Sequence, residues 1–229
     1  MSGIELTVRE DLTVAHRRAW EHIAAPGSWF TGAQRVELAQ TVILALADRD
    51  PLPPWVRVST SGRLDASACI APAAANDFAY RLARHAGTIT RDVYDSVSDE
   101  IGELPFVEVC AIVSTVAAVW HFCRNVGVPV PPLLAPGAGD PSGRRPEHLA
   151  EATLNWVPVQ APADQAPAVV QAYTAVPTEH ANTWRMADAQ YMPSHQMVDP
   201  EWTRRAGGLS RPQMELVATR LTHVRDCFY

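Results

Sequence analysis

The feature that most constrains this chain is the run from Pro105 to Val126, P-F-V-E-V-C-A-I-V-S-T-V-A-A-V-W-H-F-C-R-N-V, closed by Gly127. Phe106, Val109, Val113, Val116 and Trp120 recur at spacings of three and four, the period of an α-helix. Nearly every other position in the run is apolar too, so such a helix has to be surrounded by other elements. With 229 residues the chain can supply them, as one large or two small domains. No stretch alternates apolar and polar residues as a half-buried strand would. The expected fold is therefore all-α, with other helices packed around this central apolar one.

Several helices are legible around it. Leu12 to Ala25 places Leu12, Ala15, Ala19 and Ile23 on one side and stops at Pro26-Gly27. Thr31 is positioned to cap a second helix whose apolar face carries Val36, Ala39, Val42, Ile43 and Leu46. A third is expected from Pro72 to His85 or Ala86, and Thr90 should cap a short fourth running to about residue 99. Residues 48–72 read as a long loop anchored by Trp55. Residues 128–147, V-P-V-P-P-L-L-A-P-G-A-G-D-P-S-G-R-R-P-E, have the Pro/Gly density of a semi-rigid linker laid across the surface. Further helix is expected at 148–155, at 163–175, and from Thr183 to Tyr191, where Met192-Pro193 breaks it. The organisation expected from this is an N-terminal helical half (1–127), a linker (128–147) and a C-terminal helical half (148–229).

The last stretch, G-L-S-R-P-Q-M-E-L-V-A-T-R-L-T-H-V-R-D-C-F-Y, carries a spacing of its own. Ser210 and Gln213 form a capping-box pattern, Pro212 sits in the first turn, and Met214, Val217, Leu221 and Val224 recur at helical spacing. Glu215 is followed twelve residues later by Cys227. This Glu-x11-Cys, after an L-S-R-x-x-x-E-L start, resembles the core of the alkylhydroperoxidase D / carboxymuconolactone decarboxylase superfamily. In redox-active members the cysteine opens a C-x-x-C with a histidine one turn later, the pair reduces peroxides, and the glutamate relays a proton. Neither the second cysteine nor that histidine follows Cys227 in the sequence to Tyr229. The Thr31 helix, with Gln34 and Glu37-Leu38, is a weaker echo of the same pattern, out of register by one residue. The resemblance thus implies two related half-domains, oligomerisation as the default, and no bound cofactor.

Composition narrows the chemistry. Net charge is −6, which leaves no electrostatic footprint for nucleic acid. All 19 basic residues are arginine, which removes Schiff-base and P-loop lysine chemistry. The N-terminus has no apolar signal core, and no run is expected to reach the ~18 apolar residues of a membrane span. Cys69, Cys110, Cys123 and Cys227 are scattered without metal-ligand spacing, as expected of reduced cytoplasmic thiols.

Among the candidate groups, Cys227 with Glu215 leads, with His223 and Arg225 near enough in sequence to lower a thiol pKa. The alternative is a relic cysteine beside a first-turn carboxylate favoured by the helix dipole. Glu108 lies early in the apolar helix, where burial would raise its pKa for acid–base work; a dipole-complementing role is the simpler reading. Thr115, two turns on, shares its face. His121 and Cys123 are two residues apart and so point to different faces of a helix. His180, His195 and Asp199 match no metal-ligand template. The tryptophans mostly fall beside helix ends and read as packing anchors.

Three functions remain open on these grounds. One is a peroxidase-like thiol oxidoreductase acting on a hydroperoxide through Cys227. Another is a redox-inactive relative that binds a small apolar molecule or serves as a scaffold. The last is a lyase of the decarboxylase type using Glu108, Glu215 and His223. A low-pKa Cys227 should be labelled by a thiol probe at pH 6–7 faster than the other three cysteines, and peroxide should convert it to a sulfenic acid. Labelling no faster than at Cys69, together with no sulfenic acid, would remove the redox function.

Overall fold

A computed structural model of the chain describes residues 7–48, 69–150, 155–161 and 165–224. Among these residues the secondary structure is helical: α1 (Glu10–Ala24), α2 (Gly32–Ala47), α3 (Ala73–His85), α4 (Arg91–Ile101), α5 (Glu103–Val126), α6 (Ala168–Gln171), α7 (Pro177–Gln190) and α8 (Arg211–Val224). Their one described β-type pairing is an isolated bridge between Ala150 and Val159.

The 24-residue α5 is the central element expected from its composition. It packs against α2, α3 and α4, with a lighter contact to α1. Val109, Ala111, Ile112, Val116 and Val119 are completely buried. Gly127 ends the helix in the left-handed region at φ 74°, and the following Val128 N–H bonds back to Cys123 O at 2.9 Å. Glycine suits that turn because a side chain there would be strained. Contrary to the sequence-based expectation, α5 is long and apolar enough to cross a membrane, with a mean hydropathy of 1.8 over its best window. That window is 61% buried inside the protein, as a core helix would be.

Local chemistry explains the elements beside it. At the start of α2, Thr31 Oγ1 accepts the Gln34 N–H at 3.3 Å, while Gln34 Oε1 accepts the Thr31 N–H at 2.9 Å. This closes a capping box around donors that the first turn would otherwise leave unmade. Glu37, the glutamate of the weak sequence echo, has a structural partner. Its carboxylate accepts the N–H groups of Ile70 at 3.0 Å and Ala71 at 2.6 Å, just ahead of α3. An aromatic cluster then joins three helices. Phe78 of α3 stacks on Phe106 of α5 at 4.3 Å, and Tyr94 of α4 meets the same ring edge-on at 5.0 Å.

The chain divides into two compact units, Met1–Thr183 and Trp184–Tyr229. Residues 128–147 belong to the first unit and lie against the α1–α2 connection. Gly137 N–H bonds to Ala24 O (2.8 Å), Ser142 N–H to Gly27 O (3.0 Å) and Gly143 N–H to Ser28 O (2.8 Å). The indole of Trp20 donates to Pro131 O at 3.0 Å. In the second unit, Arg204 donates to Asp188 O and Tyr191 O, and Tyr191 donates to Glu215.

Some elements differ from expectation. Among the described residues of 163–175 only Ala168–Gln171 is α-helical, and the described parts of 148–155 are not helical. Pro residues and the Ala150–Val159 bridge favour extended backbone there. The helix expected from Thr183 begins at Pro177, a residue suited to a first helical position. In α8, Val217, Leu221 and Val224 are 60–62% exposed, while Met214 is half-buried. Trp55 lies outside the described residues.

Truncating Phe78 removes a side chain that is 1% exposed at the meeting of three helices. We expect Phe78→Ala to cost about 3–5 kcal/mol in urea unfolding, the range for aromatic truncation in a packed core.

Candidate functional site

Two features of the first unit carry chemistry: a buried ion cluster and a cavity. The cluster is centred on Arg35 of α2, which falls on the same helical face as the core residues Leu38, Ala39 and Val42 and is completely buried. Its Nη1 donates to Oε1 of Glu108 on α5 and, at 2.8 Å, to Oε1 of Glu179 on α7. Its Nη2 donates to His22 O near the end of α1 at 3.2 Å. His22 Nε2 stands 2.9 Å from Glu179 Oε1, and the Trp29 N–H donates to Glu108 Oε2 at 2.8 Å. Both glutamates are fully buried, whereas the His22 side chain is 19% exposed.

Gly27 makes this arrangement possible. A Cβ at position 27 would run into Glu108 Oε1 and Arg35 Nη1, so the turn can close over the ions only without a side chain.

The two carboxyl groups are unequal. Burial raises the Glu108 pKa, the negative charge of Glu179 adds to this, and Arg35 with the Trp29 N–H offsets only part. Burial pushes Glu179 the same way, but Arg35 and His22 outweigh it and its pKa falls below the ordinary value. For Arg35, burial alone would lower the pKa; the fields of Glu179 and Glu108 win and hold it raised. Glu108 is thus the cluster's more readily protonated carboxyl and Glu179 its persistent anion.

The cavity, of about 430 Å³, lies between the helical core and the segment 155–173. Its floor is Leu82 of α3 with Val107, Cys110, Val113 and Ser114 of α5. Val157, Val159, Ala168 and Ala172 form the facing wall, with Asn155, Gln171 and Tyr173 as its polar members. None of the described lining side chains carries a formal charge at neutral pH. Tyr173 Oη donates to Ser114 Oγ at 2.9 Å, joining wall to floor, and Ser114 Oγ donates to Ala111 O at 3.1 Å. Tyr173 is the one described non-glycine residue in the left-handed region, at φ 64°. Such a conformation costs of order 1–3 kcal/mol and persists where the surroundings enforce it. Burial pushes the Tyr173 phenol up to about 12, helped by Cys110 and Glu179, and pushes the Cys110 thiol up to about 12.

The residues singled out from sequence are placed as follows among the described ones. Cys227 and Arg225 lie outside the described residues. Glu215 sits on α8 in the second unit, 43% exposed, paired with Arg211 at 2.6 Å and accepting from Tyr191 Oη at 2.5 Å. His223 is exposed in the last turn of α8. Glu108 and Thr115 do share a face, but it meets α7: Glu108 joins the cluster containing Glu179, and Asn182 donates to Thr115 Oγ1 at 3.2 Å. Neither lines the cavity. His121 is exposed and Cys123 buried, with burial raising the thiol's pKa. His180 binds Val170 O at 3.0 Å. Among the described residues no group of three or more His, Cys, Asp or Glu is arranged to hold a metal.

Arg35, Glu179, His22 and Tyr173 did not emerge from the sequence. Arg35 had a signal: a cation at a core position of an otherwise apolar helical face, which demands a buried anion. No family model, curated protein or solved structure matches the chain.

The opposite pKa directions give opposite pH signs. Glu179, depressed in the folded state, contributes stability above the ordinary carboxylate range that is lost as pH falls through its lowered value. Glu108, raised, contributes most below that range and loses its contribution as pH rises through its elevated value. At pH 7, Glu179→Gln is therefore expected to cost about 3 kcal/mol in urea unfolding. Glu108→Gln, whose amide resembles the protonated acid, should cost clearly less. Equal costs would show that the two carboxyls are not differentiated.

Proposed function

We propose that this protein binds a small, largely apolar molecule in the cavity between α5 and the segment 155–173, without thiol redox chemistry at that site. The observation that carries this reading is the cavity itself. Its volume lies within the ~300–1,000 Å³ of ligand sites, its walls are mostly aliphatic, and a few polar groups sit among them. The strained Tyr173 supports it, since backbone strain concentrates where a site must hold a particular geometry. Cys110 is a poor redox group: with its pKa near 12 it is a thiol, and the thiolate is the reactive form.

We further propose a distant, redox-inactive relationship to the alkylhydroperoxidase D-like superfamily, carried by the Glu215-x11-Cys227 spacing. A lone cysteine there cannot close the intramolecular disulfide of the family's redox-active members, which favours binding over reduction. The thiol oxidoreductase reading keeps Cys227 as its reactive group. The lyase reading keeps Glu108, Glu215 and His223 as its acid–base groups.

Fluorescence titration of the full chain with N-phenyl-1-naphthylamine, an uncharged apolar probe, tests the binding reading. One saturable site per chain is expected, weakened about tenfold or more by Ala172→Trp or Ala168→Trp, either of which fills the cavity. Cys227→Ser should leave it unchanged. Titrations that stay the same in both filled variants, with their helical circular dichroism intact, would reject the cavity as the site.

A further inference from the structure

Resting on the binding reading above, we infer that the natural occupant is an uncharged molecule bearing a hydroxyl group, an alcohol or phenol, which donates to Tyr173 Oη. The cavity's polar groups set this choice. Tyr173 spends its proton on Ser114 Oγ, and Ser114 spends its own on Ala111 O. What this pair can still offer a ligand is oxygen lone pairs, so the matching group must carry a proton to give. A carboxylate has none.

The remaining polar lining does not reverse that preference. Gln171 directs its Nε2 to Ala166 O at 2.7 Å, and Asn155 is a neutral amide in the lining, able to accept as well as donate. No arginine or histidine is among the described lining residues, so an anion would give up its hydration without meeting a counter-charge from them. The negative charge of Glu179, which already acts on the Tyr173 phenol, opposes a second negative charge there. An ammonium ion can donate a proton and would be helped by that field. It too would have to shed its hydration against aliphatic walls, since none of the described lining side chains is a carboxylate.

Competition against bound N-phenyl-1-naphthylamine at pH 7 tests this with one ring system in four forms. These are 1-naphthol, naphthalene, 1-naphthoate and protonated 1-naphthylmethylamine. We expect 1-naphthol to displace the probe about tenfold better than 1-naphthoate and better than the amine. Its advantage over naphthalene should shrink in Tyr173→Phe, with naphthalene's own affinity little changed. Ser114→Ala provides the second variant: it frees the Tyr173 proton, so 1-naphthol should lose part of its advantage while the fold is kept. A preference for naphthoate or the amine, or a naphthol advantage untouched in Tyr173→Phe, would overturn the inference while leaving the cavity as a binding site. Failure of all four compounds to displace a probe that Ala172→Trp does weaken would overturn it as well. A probe insensitive to Ala172→Trp and Ala168→Trp would instead reject the underlying binding reading.

Discussion

The guanidinium of Arg35 is the point on which the first unit closes. One buried cation holds carboxylates from α5 and α7, a carbonyl near the end of α1 and, through Glu108, the turn that links α1 to α2. Ions buried this completely lose their hydration and are retained only where partners and hydrogen bonds compensate. Here the compensation comes from several elements at once, so none can shift without breaking a hydrogen bond to a buried ion. Aliphatic packing around α5 is tolerant by comparison, because it has no direction. The ions therefore select one arrangement of helices among the several that apolar contact alone would allow.

The cavity has a different logic. Its floor belongs to rigid helices, whereas its facing wall is a segment with little regular structure held by a few specific bonds. The Tyr173–Ser114 hydrogen bond crosses between them, and Gln160 N–H to Thr174 Oγ1 at 3.1 Å fixes the segment to itself. Tyr173 accepts an unfavourable backbone angle in order to reach α5. A glycine there would relax the chain but could not make the crossing bond. The cluster and the cavity lie on different faces of α5, since Val107 and Cys110 line one while Glu108 and Thr115 meet α7.

Local chemistry explains which parts of this were legible in the sequence. The capping box at Thr31, the glycine stop at 127 and the all-round apolar character of 105–126 each depend on residues within a few positions of one another. They were readable, and the helical architecture followed from them. Arg35 and Glu179 are 144 residues apart, and nothing near either one names the other. The same holds for Tyr173 and Ser114, 59 residues apart. Glu108 was legible as a buried acid but not as one member of an ion cluster. Glu37 shows the opposite problem: a glutamate at a suggestive place in a repeat-like pattern serves to receive the chain entering α3. Spacing alone cannot distinguish a cap from a proton relay, because both require an acceptor near a helix end.

The position of Glu179 also bears on how the protein emerges from a ribosome. Arg35 and Glu108 are made long before it, so the nascent chain must carry a cation and a carboxyl toward an apolar interior while their third member is still unmade. Until residue 179 leaves the exit tunnel, the Arg35 side chain lacks one of the two carboxylates it holds in the folded unit. The full set of partners for this cation is therefore complete only once the start of α7 has been made.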